Sequence, residues 1–440
     1  VSYQGKDAML RIRLQLGLIH LAVAMTLVPI NSTLNRVMIK ELALSATLVA
    51  VLASLPYLFS PIQVAIGSFA DRHPLFGKHR TPYIVAGLLL CVLGVIISPY
   101  AAFAMGQNFW GGLALGVLAF GAWGMGYNLS AVSYLSLASE LSGEKGRSRT
   151  IAVMFFMMIT SIILTAISLS RMVDPYTPQA LLRAFWVVGL VALGLGLLGI
   201  LRLEPRREAG HVIGDVHYTW GDMLRGVLGN RQAAYFFWYL IILLAAILGQ
   251  DILLEPFGAE AFGMTVRETT RITAIWGSCM LAALAVTGAL ESRTDKRSVA
   301  RWGGMVALAG FMLIVASGLT SLLSVFYAGI VLLGIGTGLS TVSNLSLMLD
   351  MTTEGSVGLF IGAWGMANAI SRLLGAVMGG ALRDGISRLW GAPLAGYLVV
   401  FGLMALMLLA SLGMLRQINV RDFRQRAEQM SVVDRAALVE

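Results

Sequence analysis

The fold turns on Gly67-Ser68-Phe69-Ala70-Asp71-Arg72-His73-Pro74-Leu75-Phe76-Gly77-Lys78-His79-Arg80-Thr81-Pro82, a short basic stretch between two long apolar ones. Leu44 to Phe69 precedes it and Tyr83 to Met105 follows it, both nearly free of charge. Each is long enough to cross a hydrocarbon core as a helix. Arg72, Lys78 and Arg80 assign the connection to the cytoplasmic side. Gly67 stands one turn before Asp71 on the same helical face. A glycine there admits a second helix, and the carboxylate of Asp71 can complement that helix's positive end. An ordinary positive-inside loop would look much the same.

The rest of the chain repeats this alternation. Hydrophobic residues make up 57% of it and charged residues 12%, about half the charged share of a soluble globular protein. The class is a polytopic helical membrane protein. Leu14 to Val37, behind Lys6, Arg11 and Arg13, is too long for a signal-peptide core, so no cleavable leader is expected. Cys91 and Cys279 both fall in apolar runs and read as small core residues; neither a disulfide nor a metal site is expected. The net charge of +9 is spread over many connections, which argues against nucleic-acid binding.

Twelve spans are expected, near 14–38, 44–69, 83–105, 110–138, 149–172, 180–202, 233–254, 269–291, 300–318, 321–349, 357–382 and 391–415. With the N-terminus inside, Lys and Arg number 23 in inner segments and 8 in outer ones, with Arg372 within a span. That bias orients both termini to the cytoplasm. The polar stretch from Pro205 to Arg231 separates six spans from six. The expected domains are residues 1–204, a linker 205–231, a second bundle 232–416 and a cytoplasmic tail 417–440. The halves echo each other. Val132-Ser133-Tyr134-Leu135-Ser136-Leu137 matches Val342-Ser343-Asn344-Leu345-Ser346-Leu347, with Gly124 and Gly126 in register with Gly334 and Gly336. Gly288-x-x-x-Ser292-Arg293 repeats Gly67-x-x-x-Asp71-Arg72, which points to duplicated halves. Ser292 replaces Asp71, so the inner gate is expected to be held more firmly on the Asp71 side.

Buried charge is the default candidate for function in a membrane. Arg372 lies near mid-depth of the eleventh span, with Asn368 one turn before it; it suits either a cargo site or a structural bond to backbone carbonyls. Asp251 and Glu255 are one turn apart at the end of the seventh span. Asn35 and Arg36 end the first. A salt bridge from Arg36 to Glu255 or Asp251 would close the outer side; wet helix ends are the alternative. His20 stands inside the first span and suits either a chlorin magnesium or a hydrogen bond to a neighbouring helix. Trp123, Trp276 and Trp364 either line an aromatic cavity or simply pack. There is no Walker loop, HExxH, G-x-S-x-G or Cys/His metal spacing, so an enzyme is not expected. Deep carboxylates are missing from the first and fourth spans, which weighs against a proton-coupled carrier.

The loop G-x-x-x-D-R with its following basic residues resembles the major facilitator superfamily, although Pro74-Leu75-Phe76 interrupts the commoner form. Gln250-Asp251-Ile252-Leu253-Leu254-Glu255-Pro256-Phe257-Gly258 is similar to the PucC family, the bacteriochlorophyll-delivery branch of that superfamily. Leu34 to Ile39, Gly77 to Tyr83, Arg147 to Met158, Glu268-Thr269-Thr270 and Gly362 to Gly365 with Arg372 carry the same resemblance. It implies an all-α membrane fold of twelve helices in two pseudo-symmetric six-helix bundles. It also implies assembly of light-harvesting complexes by delivery or insertion of (bacterio)chlorophyll in a bacterial inner, photosynthetic membrane. The partners it implies are (bacterio)chlorophyll as cargo, antenna polypeptides, pigment-synthesis enzymes and lipid, with no tightly bound cofactor. A facilitator for another small solute and a non-transporting scaffold are the other readings.

Overall fold

A computed structural model describes residues 6–62, 66, 69–70, 73–205, 221, 231–290, 295–350 and 357–418. Helices dominate throughout, as the apolar runs require. In the first half they are α1 (Lys6–Met25), α2 (Ala46–Ala53), α3 (Leu55–Leu58), α4 (Thr81–Gln107) and α7 (Pro178–Ile200). Between α4 and α7 a helical run, Phe109–Met172, is broken at Gly143, whose φ of 62° and ψ of 174° leave the helical region. Its two parts are α5 (Phe109–Gly143) and α6 (Arg149–Met172). The second half holds α8 (Arg231–Gly249), α9 (Leu254–Phe262), α10 (Val266–Leu290), α11 (Lys296–Thr320), α12 (Leu323–Asp350), α13 (Val357–Trp390) and α14 (Pro393–Leu415). Among the described residues, ten helical stretches are long and apolar enough to cross a membrane. Two more, α2 with α3 and α13, occupy the places expected for the second and eleventh spans.

Two spans are interrupted within their expected ranges. The first stays α-helical to Met25 and then widens into π-helical segments, Pro29–Leu34 and Val37–Glu41. Pro29 has no N–H to offer and its ring crowds the preceding turn, so the ladder cannot continue unchanged. Thr26 bonds back to the Val23 carbonyl at 2.6 Å and loosens the same turn. The second span breaks at Ser54, ahead of Pro56, which restricts Leu55 in the same manner.

The loop itself closes in a two-residue turn. Leu75 and Lys78 exchange both backbone hydrogen bonds at 3.0 Å, with Phe76 and Gly77 at φ of 56° and 73°. That sign at both central residues is what a tight primed turn needs. The Pro74-Leu75-Phe76 interruption therefore forms a hairpin tip with Phe76 exposed. Gly67, Asp71, Arg72 and Arg293 lie outside the described residues, as does most of the expected linker 205–231 and the tail beyond residue 418.

Close contacts divide the chain into two compact units. One joins Val1–His217 to Asp251–Ser278; the other joins Tyr218–Gln250 to Cys279–Glu440. The core of the first draws on Leu16, Ile19 and Val23 of α1, Ile84, Leu88 and Val92 of α4, Tyr134 and Leu137 of α5, and Ala192 of α7. In the second unit Phe311 of α11 stacks on Phe401 of α14, and Ser371 of α13 donates to the Ile241 carbonyl of α8 at 3.1 Å. Leu118, Leu190, Leu319 and Leu406 are left exposed, as lipid-facing positions should be.

The internal echo appears as one contact made twice. A Cβ added to Gly87 of α4 would lie 2.7 Å from the Gly126 carbonyl oxygen, beside Ser130 of α5. A Cβ added to Gly303 of α11 would lie 2.6 Å from the Ser340 hydroxyl of α12. Gly94 and Gly310, seven residues further on each helix, repeat the approach against α5 and α12. Ser130 and Ser340 keep the same separation as Gly126 and Gly336, the register of the sequence echo.

Candidate functional site

In the first unit a group of buried polar side chains lies where the widened end of the first span meets α9 and α10. Pro256 follows Glu255 at the start of α9, and Leu254, Phe257 and Ala259 around it are buried. This apolar turn carries the Glu255 carboxylate inward, to 3% exposure. Ser32 donates to its Oε1, and Thr273 of α10 donates to the same oxygen at 2.7 Å. Its other oxygen, Oε2, is buried without a partner. Desolvation pushes this carboxyl up to about 7, against the opposing pull of Ser32, Thr273 and the more distant Arg36 charge.

Arg36 is also buried, but its partner is not the one expected. Nη1 pairs with Glu41, five residues on, and Nη2 donates to the Met264 carbonyl at 3.2 Å. The expected salt bridge to Glu255 is replaced because the π-helical turn brings Glu41 back to the guanidinium. Asn35 donates to the Asn31 carbonyl at 3.1 Å and leaves its Oδ1 buried and unpaired; Arg36 Nε is unpaired as well. Thr33 and Thr270 share a hydrogen bond at 3.0 Å. Lys40 and Glu260 close the exposed rim at 2.6 Å. Arg36 and Glu255 thus lie near one another as buried groups, and Asn35, next to Arg36 in the chain, is buried as well. Asp251 is half-buried and engaged.

A second polar node holds the start of α4. Glu204, just past α7, accepts the backbone N–H groups of His79, Arg80 and Thr81 at 2.8, 3.0 and 2.6 Å. These are donors that a helix N-terminus leaves open, and the positive helix end suits a carboxylate. Arg80 pairs with Glu140 of α5 at 2.9 Å, with both side chains largely buried. Sequence reasoning passed over Glu204 and Glu41. The available signal was a lone acid directly after an apolar span in one case and an acid five residues from an arginine in the other.

The remaining candidates are more dispersed. His20 of α1 lies in the first unit's interior, between Tyr134 of α5, with ring centres 4.9 Å apart, and Phe155 of α6 at 5.2 Å. Its Nδ1 is buried and unpaired. Trp123 is fully buried and donates to Thr26 at 3.2 Å, which is packing; Trp276 is half-buried with its Nε1 unpaired. In the second unit Asn368 donates to the Trp364 carbonyl in its own helix at 3.0 Å, and Arg372 is half-buried and engaged. Tyr239 of α8 donates to Asn344 of α12 at 2.9 Å. A Cβ at Gly288 would meet nothing within 4 Å among the described residues. Among those residues no cluster of His, Cys, Asp and Glu is arranged to hold a metal.

Comparison with known proteins fixes the class. Crystal structures of nucleoside transporter NupG and of a bacterial homologue of the human lysosomal transporter Spinster share the fold. Their TM-scores are 0.72 and 0.71, at 11% and 14% identity. The first match covers 92% of this chain and 99% of the other, and the second 96% and 98%. A bacterial homologue of the iron transporter ferroportin gives 0.66, covering 92% and 99%. The architecture is therefore the major facilitator fold in an all-α, multi-pass membrane protein. Among curated relatives, Protein PucC of Cereibacter sphaeroides is 32% identical over 413 residues, 90% of this chain and 89% of the relative. A Rhodobacter capsulatus protein named "Bacteriochlorophyll synthase 44.5 kDa chain" is 29% identical, covering 90% and 92%. The model of the family described as PUCC protein matches residues 33–423. With that match running nearly end to end, the chain belongs to the PUCC protein family.

Proposed function

We propose that this protein is a membrane assembly factor that delivers or inserts (bacterio)chlorophyll during construction of light-harvesting complexes. The observation that carries the reading is the family match over residues 33–423. The PucC relatives support it, as does the Rhodobacter capsulatus relative whose name contains bacteriochlorophyll. The cargo would be a broad, flat, apolar ring. A bundle with few buried charges, and with histidine and aromatic side chains such as His20, Tyr134 and Phe155 together, suits such a guest. Its partners would be antenna polypeptides and pigment-synthesis enzymes in a bacterial photosynthetic inner membrane, with both termini cytoplasmic. We read the role as non-enzymatic.

A facilitator for another small solute is favoured only by the structural neighbours, which are themselves transporters. Purification in mild detergent from a pigment-making host separates the two. Chlorin absorbance co-eluting with the protein is the expected result. A pigment-free protein, together with normal antenna levels in a deletion strain, would remove the proposal.

A further inference from the structure

The cluster around Glu255 is incomplete as a set of hydrogen bonds. Both hydroxyl donors, Ser32 and Thr273, converge on Oε1, while Oε2 is left bare inside an apolar setting. Asn35, directly after the π-helical segment that carries Ser32, also holds a buried acceptor without a donor. The bare oxygen of Glu255 calls for something that brings a donor. Arg36 does not supply it: Nη1 is committed to Glu41 and Nη2 to the Met264 carbonyl, and its remaining N–H, on Nε, is buried but bonds neither acceptor. The other charged groups on the packed elements are taken or exposed: Asp251 is engaged, Glu260 is tied to Lys40, Arg267 pairs with Asp174, Glu268 accepts from Thr265, and Arg271 is exposed. A charged carboxylate with one oxygen desolvated and unbonded is costly, and adding a proton to that oxygen removes the cost.

We propose that Ser32, Glu255 and Thr273 form a proton-binding site, in which Glu255 takes up one proton from water on Oε2 and releases it again as a carboxylate. Oxygen donors alone build the pocket, and π-helical turns of this kind recur where helices carry out function. The site stands whether or not a pigment is the cargo, so failure of the pigment reading leaves it intact. The first and fourth spans still lack a deep acid; this one lies just past the seventh span, which ends at Ile252, on α9 and folded inward.

The test uses the full chain in lipid nanodiscs and infrared difference spectra taken between about pH 5 and about pH 9, the range in which a raised carboxyl titrates. A protonated-carboxyl band that titrates in the wild type and disappears in Glu255→Gln is the expected result. Ser32→Ala and Thr273→Val each remove a bond to the charged form, so each should tighten proton binding about tenfold. These two variants keep the test open should Glu255→Gln fail to fold. A wild-type spectrum without the titrating band, or with the band unchanged in all three variants, overturns the site. A band that follows sodium concentration at fixed pH also overturns it, in favour of a metal cation.

Discussion

Glu255 and Arg36 are neighbours in one buried cluster, and each depends on a different compensation. Arg36 is nearly enclosed, with its side chain 5% exposed, whereas its partner Glu41 is 38% exposed. Removing the two partners should therefore have unequal consequences. Glu41→Ala leaves a buried cation unpaired and is expected to cost roughly 3 kcal/mol. Arg36→Met leaves a half-solvated anion in a filled space and should cost less. Thermal unfolding of the purified variants would show this order, and the reverse order would refute it. For Glu255 the sign of the pH effect follows from its raised titration. The unfolded carboxyl titrates near 4.5 and the folded one at about 7, so the folded chain binds more protons between them. This contribution to stability is full below about 4.5 and is lost as pH rises through about 7. Glu255→Gln should flatten that segment of the stability profile; an unchanged slope would contradict it. The residues of this cluster were legible as candidates because charges are rare in so apolar a chain. Their burial was not, because position at the end of a span says nothing of an apolar turn such as Leu254 to Ala259 folding over it.

At the level of single helices, two kinds of contact set what can change. Glu204 satisfies three open N–H groups at the head of α4. Glu204→Ala is expected to cost about 2 kcal/mol, the upper end for loss of a cap, with Glu204→Gln in between. Melting temperatures in one detergent would rank them, and a neutral Glu204→Ala would show that the cap contributes nothing. The glycine contacts give a paired prediction. Gly87→Ala and Gly303→Ala should both destabilise, by roughly 1–3 kcal/mol, since the new methyl group meets backbone or a short serine. Gly106→Ala and Gly121→Ala face open space and should be neutral or mildly stabilising. Equal melting of all four would show that the close approach carries no weight. The spans themselves could be read from their apolar runs. Their interruptions at Pro29 and Pro56 could have been read too, since proline breaks a helical ladder in any solvent. They were passed over because a long apolar run suggests a single straight helix, and only the fold shows the π-helical turn that Pro29 produces.

The whole molecule was the most legible, because a bilayer leaves helices almost as the only choice and duplication leaves its register in the sequence. The repeated serine and glycine contacts of α4 with α5 and of α11 with α12 are that register in physical form. Sidedness is the prediction that belongs here. If both termini are cytoplasmic, as proposed, a cysteine at exposed Phe76 should react with an impermeant maleimide only from the cytoplasmic face, and one at exposed Leu389 only from the opposite face. Cys279, which is half-buried, would first be replaced. Labelling of both from one side would invert or break the assigned orientation.

The two copies of the glycine contact are not followed by hairpins of equal height. Counted from Gly94 to its facing residue on α5, and from Gly310 to its facing residue on α12, the first hairpin has roughly six more residues, or nearly one extra turn per helix. Phe109 and Trp110 sit on that added crown, their rings edge to face at 5.3 Å, and Trp110 is 76% exposed. The matching crest of the second hairpin offers Ser321, Leu322 and Leu323, without an indole. Indoles at the ends of spanning helices favour lipid headgroups. The first hairpin should thereby be moored to the membrane boundary, a tether that the crest of its twin, Ser321 to Leu323, does not offer.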